Sequence, residues 1–176
     1  KKFSIKTDEY EDNRHFFIAQ YFRDTYEQNL SKLPFVSAQT VINKIEVWVT
    51  NKTRQTEDVR EMVAFQDLGE TGKIYNTTSI FSNGGTFPEN NSNNLYNLLT
   101  RSPNAANFRD PSRCISFLES NGLHSVDDFE KVSARKLAPT EYVFNAQLGY
   151  ISLNQQLRPD EVLGVAIQYT VNGKVY

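Results

Sequence analysis

The 176-residue chain has one cysteine, one methionine, one tryptophan and two histidines. A single thiol, Cys114, excludes an internal disulfide and any zinc site built on paired cysteines. His15 and His124 lie too far apart in sequence to suggest a metal pair. Neither sign of charge is in surplus: 19 Lys+Arg stand against 21 Asp+Glu, giving a net charge of −2 and a pI near 5.7. The clustered basic footprint of a general nucleic-acid binder is therefore missing. No apolar run approaches the roughly 20 residues that a membrane-spanning helix needs. Catalytic signatures are missing too: there is no Gly-x-Ser-x-Gly elbow, no phosphate loop and no Gly-x-Gly-x-x-Gly after a strand. The residues alone predict no catalytic group, no cofactor and no bound metal.

Aromatic side chains are plentiful, with 12 Phe and 9 Tyr. Each buries a large apolar area, so a chain of modest hydrophobic content can still build a core. From about Asp12 to Leu33 the apolar positions Ile18, Phe22, Tyr26 and Leu30 recur every fourth residue, which predicts a long N-terminal helix closed by Pro34. Shorter helices are expected at Asn94–Leu99, with Ser92 or Asn93 as cap, and after Asp110-Pro111. There an N-cap precedes a proline at the first helical position, and Asn121-Gly122 supplies the stop. Ser125-Val126-Asp127-Asp128 resembles a capping box leading into another helix through Phe129 and Val132.

Strands account for most of the remainder. Ile45, Val47 and Val49 alternate with polar neighbours up to Asn51, and Met62–Phe65 forms a second strand. Tyr142–Phe144 and Gly149–Leu153 read as hairpin arms around Asn145–Leu148. The clearest alternation is Leu163, Val165, Ile167, Tyr169 and Val171. Asn172-Gly173 follows it with the type I′ hairpin signal, which requires positive φ twice. Residues 72–94 are polar and irregular and predict a long, mobile surface loop. The sum is an α+β fold: an antiparallel sheet or sandwich, a jelly roll among the options, with a long N-terminal helix and two or three shorter ones. Residues 1–176 read as a single soluble domain excised from a much larger chain.

Several residues bear on chemistry. Cys114 reads as a small buried hydrophobe rather than a reactive thiol. His15, placed in the first helical turn, and His124, in a helix–helix link, read as surface or packing histidines. Asp67-Leu68-Gly69-Glu70 could lend two carboxylates to a calcium ion, but no EF-hand spacing accompanies them and strand-to-turn punctuation explains the same residues. Glu57–Glu61 reads as a solvated, self-neutralising segment. Trp48 reads mainly as a packing aromatic. Together with Tyr75 and Phe81 it could instead form a sugar-stacking platform on a jelly roll. The Asn-x-Ser/Thr matches at Asn51, Asn76 and Asn90 decide nothing by themselves.

Two longer stretches carry a resemblance. The first is Ile45-Glu46-Val47-Trp48-Val49-Thr50-Asn51, followed by Thr56–Arg60 and Val63–Glu70. The second is Ser133–Tyr142, leading to Leu148–Asn154 and Pro159–Thr170; Phe16–Asp24 joins them. Together they resemble the SprA/Sov family, the very large gliding-motility and secretion proteins of Bacteroidetes cell surfaces. The resemblance implies a non-enzymatic soluble domain of the outer-membrane translocon of type IX secretion. It would sit on the periplasmic or extracellular side, as a scaffold or contact surface. Its implied partners are other secretion-system subunits or secreted cargo, and the rest of a parent β-barrel, with no nucleic acid; the domain itself would not span the membrane. No functional residue carries over, because the matching strings look structural. Two other readings compete: a carbohydrate-binding jelly-roll module of a bacterial surface protein, and a fragment of a hydrolase.

Overall fold

The computed structural model describes residues 4, 6, 9–52, 56–65, 69, 70, 76–101 and 105–176. In chain order the elements are β1 (His15–Phe17), α1 (Gln20–Leu30), β2 (Thr40–Thr50), β3 (Val59–Phe65), α2 (Leu95–Thr100), α3 (Ala105–Phe108), α4 (Pro111–Ser120), β4 (Phe129–Lys136), β5 (Tyr142–Asn145), β6 (Tyr150–Leu153), β7 (Leu163–Val171) and β8 (Lys174–Val175). The strands form two antiparallel sheets, one ordered β1-β6-β5 and the other β3-β4-β2-β7-β8. The expected α+β class with antiparallel sheet therefore holds.

Period-2 patterning builds the larger sheet. On β2 the side chains of Ile45, Val47 and Val49 share a face, and they stand opposite Ile167, Val165 and Leu163 of β7. That face meets Tyr142 of β5, with Ile151 and Leu153 of β6, in one cluster to which Phe16, Phe144 and Leu157 add. The register slips between Ile42 and Lys44, so Asn43 is the extra residue of a β-bulge. The slip lets even-numbered Thr40 and Ile42 point inward like odd-numbered Val47, and all three are fully buried or nearly so. Two further clusters complete the core. Phe22 of α1 packs with Ile42, Tyr169 and Val171, while α2 and α4 bring Leu95, Leu99, Cys114 and Leu118 against Leu123 and Phe129.

Helix α4 forms as its sequence dictates. The Asp110 carboxylate accepts the Ser112 and Arg113 N–H groups at 3.0 and 3.3 Å, Pro111 occupies the first turn, and Gly122 takes φ +80° past the end. Asn172 and Gly173 have φ +48° and +83°, the pair of positive values that the β7–β8 turn requires.

Two expectations are corrected. The long N-terminal helix over Asp12–Leu33 is not present, since the helix is confined to the 11 residues Gln20–Leu30. The preceding His15–Phe17 is a strand because it pairs with Tyr150–Ser152 of β6, a distant partner that local spacing cannot register. Ser125–Asp128 does not cap a helix. Val126 takes φ +79°, and the Asp128 carboxylate turns back to accept the His124 N–H at 2.7 Å, so Phe129 and Val132 enter β4 instead. Residues 76–94 lack regular structure, as expected, yet they are pinned: Ile80, Ser92 and Asn93 are buried, and Phe87 packs against Tyr21 and Tyr176. The Tyr169 hydroxyl donates to the Pro88 carbonyl. Burial, with the charge of Glu89 nearby, pushes that hydroxyl's pKa upward. Residues 72–75 of the expected loop lie outside the described residues.

Candidate functional site

The pleat of β2 sends Glu46 and Trp48 to the face opposite the core, where Glu46 is exposed and Trp48 half-buried. Trp48 is thus not a core aromatic. The Arg60 guanidinium and the Lys136 ammonium each lie 5.7 Å from its ring centroid, both within cation–π range. Lys136 also pairs with Glu46 at 2.6 Å, and that contact lowers the Glu46 pKa. On the other side of Trp48 the sheet is nearly bare. Gly164 stands directly opposite on β7, Ala166 follows two residues on, and both are exposed. The result is a shelf of aromatic and small residues with two cations along one flank.

A second feature lies at the end of the two sheets. A hollow of about 280 Å³ has Val49, Leu137, Leu153 and Leu157 among its lining, with Asn51, Asn154, Gln155 and Gln156 contributing amides. One wall is the Arg135–Glu141 pair, whose two guanidinium N–H groups donate to the two carboxylate oxygens at 2.9 and 3.0 Å. The Ala138 N–H adds a third donation at 2.7 Å. Arg135 holds the Glu141 carboxyl below its usual pKa, with help from that backbone bond. Side-chain amides donate and accept at once, so the hollow suits ligands rich in hydroxyls or peptide groups.

The remaining singled-out residues fall elsewhere. Cys114 is buried in the α4 cluster, and burial pushes its thiol pKa up, which suits packing better than nucleophilic chemistry. His124 links α4 to β4 rather than two helices. His15 sits on β1, not in a helical turn. Its Nδ1 shares a 2.8 Å hydrogen bond with Ser152 Oγ, and its Nε2 a 2.6 Å one with the Glu11 carboxylate. The three groups form an open chain at the surface. Glu70 accepts the Tyr21 N–H at 3.2 Å and so caps α1, while Asp67, its supposed calcium partner, lies outside the described residues. Asn76 is committed to local structure: its amide donates to Asp128 and its carbonyl accepts from Thr78 and Ser79. Tyr75 lies outside the described residues, and Phe81 is exposed on a separate loop, so the described residues assemble no three-aromatic platform. The Glu57–Glu61 segment does not neutralise itself. Glu61 pairs with Lys131 at 2.9 Å, and Arg60 serves Trp48.

Among the described residues no three His, Cys, Asp or Glu side chains converge in a way that could hold a metal ion, and no helix is long and apolar enough to cross a membrane. Sequence reasoning singled out Trp48 but missed the Arg135–Glu141 wall, whose only signal is an Arg and a Glu at the two ends of a strand exit. Neither a scan against protein-family models nor a search of curated proteins finds a match to this chain.

Proposed function

We propose that this chain is a non-enzymatic domain of an outer-membrane protein-secretion translocon, of the kind that serves type IX secretion and gliding motility. It lies on the periplasmic or extracellular side and acts as a scaffold or contact surface for cargo or partner subunits. One observation supports this reading. The strings that carry the SprA/Sov resemblance run through β1 to β7, strands of both sheets, with the start of α1 and some of the connections between strands. A resemblance that follows the framework strands is what a shared scaffold leaves, since sheet packing constrains those residues together. Fractionation of source cells with an antibody against the chain tests the idea. A band far above 20.2 kDa in the outer-membrane fraction is expected, and in-frame deletion of the segment should abolish secretion. A small band in cytosol or medium would sink the proposal.

The Trp48 shelf favours a second reading, a carbohydrate-binding module with jelly-roll-like architecture. Affinity electrophoresis in polysaccharide gels decides it: retardation that Trp48→Ala removes supports sugar binding, and unretarded migration eliminates it.

A further inference from the structure

We propose that the Trp48 shelf takes an acidic saccharide, with a sugar ring stacked against the indole and a carboxylate of that sugar held by Arg60 and Lys136. The proposal names the ligand class for the carbohydrate reading and rests on it. Neighbouring bonds hold the indole in place. Its N–H bonds the Glu46 carboxylate, which also holds Lys136 at 2.6 Å, so the ring and the ammonium share one anchor. Both cations lie 5.7 Å from the ring centroid, close to the limit of about 6 Å for a cation–π contact. Neither is pressed against the ring. Trp48 stays half-buried, and Gly164, directly across on β7, has no side chain to cover it.

Charge separates this shelf from a platform for neutral sugars. Strand register places Lys44, Glu46 and Trp48 of β2 on the same face as Lys136 of β4 and Arg60 of β3. Glu46 matches Lys136. Arg60 and Lys44 are exposed, and neither forms an ion pair among the described residues. Three cations thus stand around one carboxylate. Other acids of this region are turned elsewhere: Glu57 and Asp58 line an open hollow with Arg135 and Glu141, and Glu130 lies further along β4, opposite Ala64. A neutral sugar would leave the Arg60 guanidinium without an anionic partner. A carboxylate offers two coplanar oxygens that match the guanidinium fork, and its charge offsets the surplus on this face. Single-stranded nucleic acid fits less well, because it needs a row of stacking aromatics along a basic groove. Among the described residues Trp48 is the only aromatic on the outward face of β2, β3 and β4.

The test is affinity electrophoresis of the 176-residue chain in gels containing polygalacturonate, beside gels containing neutral dextran. Retardation by polygalacturonate with little by dextran is the expected result. Trp48→Ala should abolish it, and Arg60→Gln should weaken it about tenfold, the loss of one charge-assisted pair. Arg60 is exposed, so its variant carries the test even if Trp48→Ala unfolds. Lys131→Gln removes the same charge from the opposite face of β4, and retardation should survive it. Equal retardation in both gels, or retardation in dextran alone, overturns the acidic ligand and leaves the carbohydrate reading standing. Unretarded migration in both overturns the two together. Polygalacturonate binding that Lys131→Gln weakens as much as Arg60→Gln overturns the assignment to this face. Tighter binding of oligothymidylate than of polygalacturonate overturns the saccharide in favour of nucleic acid.

Discussion

Replacing Gly149 by alanine places a methyl group where no room exists. The residue has φ +63°, and a Cβ added there would fall on the Phe22 ring at Cγ and Cδ1, far inside van der Waals contact. Phe22 is fully buried at the centre of the cluster formed with Ile42, Tyr169 and Val171, so its ring has nowhere to retreat. Two contributions add. The left-handed backbone costs a non-glycine residue about 1–2 kcal/mol. Displacing a packed ring costs about 1–3 kcal/mol more. Gly149→Ala should therefore destabilise the fold by roughly 2–5 kcal/mol, lowering Tm by about 5–15 °C for a chain of this size. Gly173 supplies the control. It has φ +83°, but a methyl group added there would meet nothing within 4 Å, so Gly173→Ala should show the backbone cost alone. Urea unfolding of Gly149→Ala, Phe22→Ala and the double variant separates the two contributions. In the Phe22→Ala background the cost of Gly149→Ala should shrink to the backbone cost of about 1–2 kcal/mol, a coupling of about 1–3 kcal/mol. An unchanged cost in that background, or a single-variant loss below about 1 kcal/mol, would refute the close approach of the turn to the ring.

Other consequences are open to measurement. Glu141→Gln removes a carboxylate whose pKa is depressed by Arg135. That stabilisation is present above the ordinary value of 4.5 and fades as pH falls through the folded value, so the variant should lose about 1 kcal/mol at pH 7 and less than that at pH 3. The modest size reflects the exposure of the pair, 27% and 39% for the two side chains, and urea midpoints at both pH values check it. Asp110→Ala strips the cap from α4 and should cost about 1 kcal/mol in the same assay, whereas Asp110→Asn should cost less. Cys114, buried with a raised pKa, should react with a disulfide reagent at the rate of unfolding and accelerate steeply in urea; immediate reaction in the native state would contradict its burial.

What could be read from the residues alone was local. The alternation Leu163–Val171, the Asn172-Gly173 turn and the Asp110-Pro111 start each depend on neighbours within a few positions, and each formed as read. The errors arose where a distant partner decides. His15–Phe17 shares a helical spacing with α1, but hydrogen bonds to a strand 137 residues away override it. Phe129 and Val132 fit a helix pattern as well as a strand, and pairing with Met62–Phe65 settles the choice. The start of β2 was invisible because the bulge at Asn43 breaks its alternation. For the candidate site, Trp48 stood out as the lone tryptophan, but its orientation depends on the parity of the whole strand. The Arg135–Glu141 wall and the His15–Ser152 contact form only after folding and left no spacing to find.

The single extra residue at Asn43 acts as a phase shifter within β2. Upstream of it, even positions carry the buried side chains of the aromatic cluster around Phe22; downstream, odd positions carry those of the core between the sheets. Deleting one residue from a surface loop usually leaves packing intact. Deleting Asn43 would instead work like a frameshift in side-chain orientation: one half of the strand must turn its buried set outward, whichever half keeps its place. The two core clusters are thus joined by one backbone irregularity, and the strand accepts substitution at that position far more readily than a change in length.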